Sequence, residues 1–145
     1  MDATLCKQRA QDAVSRVTTQ FPQLRCDIVD SPGPVDYSAE FPVQLGLSFR
    51  VGITLDGDVL QLYAGDAYHQ DFFPASDGSV AAQVEEYVRG LLSGECRIVE
   101  RHRGDHPAHA GQLQQRAGGS WVVRSRWSRS HMPFLPSATR TLHNI

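Results

Sequence analysis

Three histidines, His102, His106 and His109, lie close together with Asp105 among them. Imidazole and carboxylate groups hold zinc when three or four converge, so this run is the candidate metal site. Gly104 and Pro107 oppose a helix here, so convergence would have to come from a loop. The alternative is three solvent-exposed imidazoles that take pH-dependent or anion contacts.

A second group is basic. Arg116, Arg124, Arg126 and Arg129 interleave with Trp121 and Trp127. Guanidinium and aromatic groups on one sheet face hold single-stranded nucleic acid through phosphate contacts and base stacking. Strict alternation along 120–128 puts Trp121, Val123 and Trp127 on one face and Arg124 and Arg126 on the other. On that reading stacking and phosphate contact do not share a surface. The tryptophans become core, and the arginines are left for an acidic protein, a nucleic acid or the chain's own acidic half.

Weaker candidates complete the chemistry. The Tyr68-His69-Gln70-Asp71 segment offers His69 as an acid or base beside a pocket, or is simply an exposed strand end. Cys6, Cys26 and Cys96 form no C-x-x-C pair and leave an odd thiol, which favours buried, reduced cysteines in a cytoplasmic protein. Asp56 and Asp58 read as turn residues, because the calcium loop pattern is missing. No phosphate-binding glycine loop, H-E-x-x-H or G-x-S-x-G occurs. No residue is assigned a catalytic role, and no cofactor is expected.

These groups need elements to position them. Residues 3–20 read as a helix: Leu5, Ala10, Val14, Val17 and Phe21 recur at helical spacing, and Phe21-Pro22 ends the run. Residues 24–30 read as a short strand and 31–34 as a proline-rich loop. From Val43 to Leu55 every odd position is apolar, which predicts one long half-buried strand, bent at Gly46 or Gly52. Asp56-Gly57 suits a two-residue type I′ turn, so Leu55 should face Asp58, Ile53 Leu60, Val51 Leu62 and Phe49 Ala64. A further short strand is expected within 66–74. A helix over 79–93 starts after Asp77, ends before Gly94 and carries Val80, Val84, Tyr87, Val88, Leu91 and Leu92 on one apolar face. Strands follow at 95–103, 110–117 and 120–128. A faint repeat relates Val14, Cys26, Ile28 and Val29 to Val84, Cys96, Ile98 and Val99.

The expected architecture is an α+β domain over 1–129, in the order α-β-β-β-α-β-β-β. It has a curved, mostly antiparallel sheet with two helices on one face, followed by an irregular tail over 130–145. The chain's 145 residues, 41% apolar and 21% charged, suit one ordinary domain and are too few for a kinase or an eightfold barrel. No apolar run reaches the ~18 residues of a membrane span. The start, Met1-Asp2-Ala3-Thr4, lacks a basic-then-apolar signal, so no secretory leader is expected.

The net charge of −2 hides an asymmetry. Residues 1–95 carry 14 acidic and 6 basic side chains, while 96–145 carry 8 arginines and 2 acids. A molecule polarised in this way steers charged partners over a Debye length of ~8 Å. No family motif is present, but the order helix, strands, helix, strands is similar to that of small bacterial type III secretion chaperones. The chain departs from that pattern in lacking a clear closing helix and a uniformly acidic composition. The leading expectation is a small bacterial, cytoplasmic, non-catalytic module that binds another protein, as a chaperone-like, immunity or accessory factor, with a homodimer as an option. The alternatives are anion or nucleic-acid binding through the arginine-rich hairpin, and a small enzyme or metal protein using His69 or the 102–109 histidines.

Overall fold

A computed structural model describes residues 3–30, 36–128 and 138–144. The class is α+β, and every paired strand is antiparallel. Helix α1 (Ala3–Gln20) leads into β1 (Asp27–Asp30), β2 (Tyr37–Phe41), β3 (Val51–Asp56), β4 (Val59–Ala64) and β5 (Tyr68–Phe72). Helix α2 (Gly78–Ser93) follows, then β6 (Cys96–His102), β7 (Ala110–Ala117), β8 (Ser120–Ser128) and β9 (Ala138–Leu142). The blocks come in the predicted order, but the strands form two sheets, β1-β2-β3-β4-β5 and β8-β7-β6-β9.

The two helices pack on each other and on one face of the first sheet. Alternation on β2 to β4 supplies that face. Tyr37, Ala39, Phe41, Val51, Ile53, Leu55, Leu60, Leu62 and Ala64 are all buried. Asp77 caps α2, its Oδ1 accepting from Ser79 N at 2.8 Å, and Gly94 closes the helix. Helix α2 also packs on β6, so the second sheet shares the core through Cys96, Ile98 and Leu113. The sheets meet where β5 lies against β7 and β8: the Tyr68 hydroxyl pairs with Ser125 Oγ at 2.8 Å. Among the described residues, no helix is long and apolar enough to cross a membrane.

Four expectations are corrected. The long strand from Val43 does not form before Val51. A turn with Gly46 at φ 90° and the bridge Gln44–Leu47 break it, leaving Leu45 99% exposed while Leu47 and Phe49 are buried. Strand β2, missed in the sequence, takes the place beside β3. The hairpin register is Leu55–Leu60, Ile53–Leu62 and Val51–Ala64, because the turn is Gly57-Asp58. Gly57 has φ 60°, and no described non-glycine residue has positive φ, so a type I′ turn is excluded and type II′ fits. Each predicted partner is displaced by two positions, which leaves every side chain on its own face. Part of the predicted irregular tail, Ala138–Leu142, is strand β9 on the β6 edge.

The faint repeat does not carry its environment with it. Ile28 and Val29 sit on the exposed edge strand β1, whereas Ile98 is fully buried in β6.

Candidate functional site

The second sheet has two chemically different faces. Its inner face carries Cys96, Ile98, Glu100, Leu113, Ser125, Trp127 and Leu142 toward α2 and β5. Its outer face is fixed by four cross-strand rows. Arg97 pairs with Gln114 and Gln114 with Val123. Thr141 pairs with Val99, Val99 with Gln112, and Gln112 with Arg126. Thr139 pairs with Arg101, Arg101 with Ala110, and Ala110 with Ser128. Arg116 pairs with Trp121. The four outer arginines are therefore Arg97, Arg101, Arg116 and Arg126, and no acidic residue stands among these positions.

A β-bulge decides this arrangement. Ser125 pairs with Leu113 and Val123 with Gln114, so Arg124 is left over between them. One extra residue reverses the alternation, and the tryptophans fall on opposite faces. Trp127 goes inward, where its Nε1 donates to His69 Nε2 at 2.9 Å. Trp121 goes outward and joins the arginines. The expected separation of aromatic and basic groups is thus corrected.

The outer groups touch one another. The Arg97 guanidinium lies 4.1 Å from the Trp121 ring centre and that of Arg116 4.9 Å. His143 meets the same indole edge-on at 5.2 Å and is anchored through Nε2 to Gly94 O at 2.8 Å. Arg97 Nε donates to Gln114 Oε1 at 2.8 Å, and Gln114 Nε2 donates to Gln112 Oε1 at 3.1 Å. At the far end a hollow of about 380 Å³ opens beside Arg101, Arg126, Gln112 and Thr139.

Charge pairing separates these arginines from five others. Arg16 and Arg89 bind Glu85, Arg25 binds Asp27, Arg50 binds Glu40 and Arg140 binds Glu100. Among the described residues, Arg97, Arg101, Arg116 and Arg126 have no carboxylate partner. Of the four arginines singled out in the sequence, Arg116 and Arg126 share this face. Arg124 instead donates to Gln115 Oε1 at 2.9 Å, and Gln115 reaches Glu86 of α2 at 2.9 Å. Arg129 lies outside the described residues. Arg97 and Arg101 were missed. Their period-two spacing against Cys96, Ile98 and Glu100 was the available signal, but it needed the strand partners to give it meaning.

The other candidates are not assembled. Among the described residues, no three His, Cys, Asp or Glu side chains converge on a metal position. The β6–β7 connection spreads the three histidines. His102 Nδ1 bonds Gly104 O at 2.9 Å, His106 is exposed in the turn, and His109 N donates to Arg101 O at 2.9 Å. His102 and His106 instead line an open hollow of about 450 Å³ with Asp66, Asp105 and Arg140. His69 accepts from Trp127 at Nε2 and lines a hollow with Arg50, Tyr63 and Asp66. In that hollow the Tyr63 hydroxyl donates to Glu40 Oε1 at 2.9 Å, and burial, then this bond, push its pKa up. Burial pushes the Cys96 thiol up to about 12 and the Cys26 thiol to about 11, so both stay protonated and poorly nucleophilic.

Glu100 is a further feature the sequence did not disclose. It is fully buried, with Oε1 bonded to Arg140 Nη2 at 3.3 Å and Oε2 without a hydrogen-bond partner among the described residues. Compared with known family models, curated proteins and solved structures, the chain matches none.

Proposed function

We propose that the protein is a binding module whose working surface is the outer face of the four-stranded sheet, and that its partner is an extended anionic polymer. One observation carries this reading: among the described residues, four arginines without carboxylate partners share one face, while Arg16, Arg25, Arg50, Arg89 and Arg140 are each neutralised by a carboxylate. Like charges ~10 Å apart repel by only ~0.4 kcal/mol in water, so the fold tolerates the cluster, but none of the four charges is neutralised by a carboxylate among the described residues. A polyanion supplies the counter-charge at several points at once. The acidic residues concentrated before Glu95 repel the same polymer and orient its approach.

Retention on a heparin column tests the reading. Arg101→Ala with Arg126→Ala should elute at clearly lower salt than the parent, whereas Arg25→Ala should not shift. Equal elution of all three overturns it.

A second reading has its own observation. Edge strand β1 exposes Ile28 at 52% and Val29 at 57%, an apolar edge that no described strand covers and that suits pairing with a second copy. Sedimentation should then show a dimer that Ile28→Lys with Val29→Lys abolishes. A monomer at high concentration excludes it.

A further inference from the structure

We infer that the polymer is a single strand of nucleic acid, laid across the outer face with bases against Trp121 and phosphates on the four arginines. The inference rests on the polyanion-binding reading above. What distinguishes nucleic acid from other polyanions is the planar chemistry between the charges. Trp121, Arg97, Arg116 and His143 form one cluster of flat groups at one end of the face. Indole and guanidinium planes both stack on unpaired bases. Arg101 and Arg126 stand at the other end. On β7, between Arg97 and Arg101 of β6 and Arg126 of β8, lie Gln112 and Gln114, whose amides offer donors and acceptors to base edges.

The scale fits a short single strand. Arg97 and Arg101 are four residues apart on β6, ~14 Å at strand rise, and four strands span about the same width. A four-stranded face of this size takes roughly two to four nucleotides. A duplex fits poorly, because its bases are already stacked on each other and, among the described residues, no helix or loop projects from the face beside Trp121 to enter a groove. An acidic protein also fits poorly. Protein interfaces need an apolar centre, and here Val99, Ala110, Trp121 and Val123 are dispersed among polar and charged groups.

The test is fluorescence anisotropy with the full chain and five labelled probes: a short mixed-sequence single strand as DNA, the same strand as RNA, the duplex, polyphosphate and polyglutamate. The single strand should bind tightest. Its log affinity should fall against log salt with a slope of about −3, from ~0.7 for each of four phosphate contacts. Arg126→Glu, at an exposed position that cannot disturb the core, should flatten that slope by about 0.7 or more. Trp121→Ala should weaken single-strand binding by roughly 5- to 150-fold and polyphosphate binding by much less, with Trp121→Phe recovering most of the single-strand loss. If polyphosphate or polyglutamate binds as tightly as the oligonucleotide, or the duplex binds better, the single-strand inference falls and the polyanion reading stands. If no probe binds even at low salt, both fall.

Discussion

The bulge in β8 is the feature on which the candidate site depends, and deleting residues one at a time tests it. Arg124 is the extra residue: Val123 and Ser125 already face consecutive partners, Gln114 and Leu113. Deleting Arg124 therefore makes a regular ladder in which no side chain changes face. The loss is the exposed bond from Arg124 Nε to Gln115 Oε1, 2.9 Å long and worth ~0.5–1.5 kcal/mol at most. The gain is the ordering of one residue, ~1–2 kcal/mol, that no longer has to be offset. The two nearly cancel, so stability should stay within about 1 kcal/mol of the parent.

Deleting Arg126 instead is a different operation. With Trp127 held inward by Gly111 and His69, Ser125 must move to the outer position opposite Gln112, and Arg124 must take the inner position opposite Leu113. That breaks the Tyr68–Ser125 bond of 2.8 Å and sets a guanidinium beside Tyr68, which is 1% exposed. The cost should exceed ~2 kcal/mol, from one lost buried hydrogen bond and one poorly compensated charge. Urea denaturation followed by tryptophan emission measures both variants, and heparin retention of the Arg124 deletion shows whether the outer face survives. Equal destabilisation by the two deletions would refute the reasoning, because it would mean that Arg124 is an ordinary ladder residue and that Trp121 and Trp127 share a face.

The remaining predictions concern charge and thiols. Arg140→Ala should destabilise by a few kcal/mol at neutral pH, since it leaves Glu100 buried and unpaired, whereas Glu100→Leu with Arg140→Ala should recover much of the loss; urea midpoints decide between them. The Asp58 carboxyl is held below its ordinary value by the Cys6 thiol and by the bonds from Ser76, so its contribution to stability is present above ~pH 3.9 and lost as pH falls toward the lowered value. Asp58→Asn should be less stable than the parent at neutral pH, and the difference should shrink on acidification; a constant gap from neutral to acid pH would contradict this. With burial holding Cys96 near 12 and Cys26 near 11, both should react slowly with a thiol reagent at pH ~8 in the native state and quickly in urea. Rapid native labelling of Cys96 would count against the packing of β6 on α2.

Several elements were legible because their signals are local. Asp77 and Gly94 mark the ends of α2 within three residues of the helix, by side-chain capping and by a left-handed backbone, and the observed span agrees. Strands β7 and β8 have the predicted bounds of 110–117 and 120–128. The apolar face of the β3–β4 hairpin survived even a misplaced turn, since a displacement by two positions preserves parity. Strand β2 was missed because its buried residues, Tyr37, Ala39 and Phe41, make only a short alternation between a proline-rich loop and Pro42. The alternation ran on through Val43 and Leu45 in the sequence but not in space, because Gly46 turns the chain there.

By itself the sequence determined which segments are helix or strand over most of the chain, which sides of them are apolar, and that basic residues gather after Glu95. These follow from capping, turn chemistry and periodicity, all of which act over a few residues. Only the tertiary structure decided that the strands divide into two sheets, that Arg97 and Arg101 stand beside Arg116 and Arg126, and that a single unpaired residue carries Trp121 to their side. The physical reason is that a side chain's face depends on its strand's partners, and those partners are chosen by packing between residues far apart in the chain. Arg124 carries no local mark of a bulge; it is extra only because the residues on either side of it already have their places.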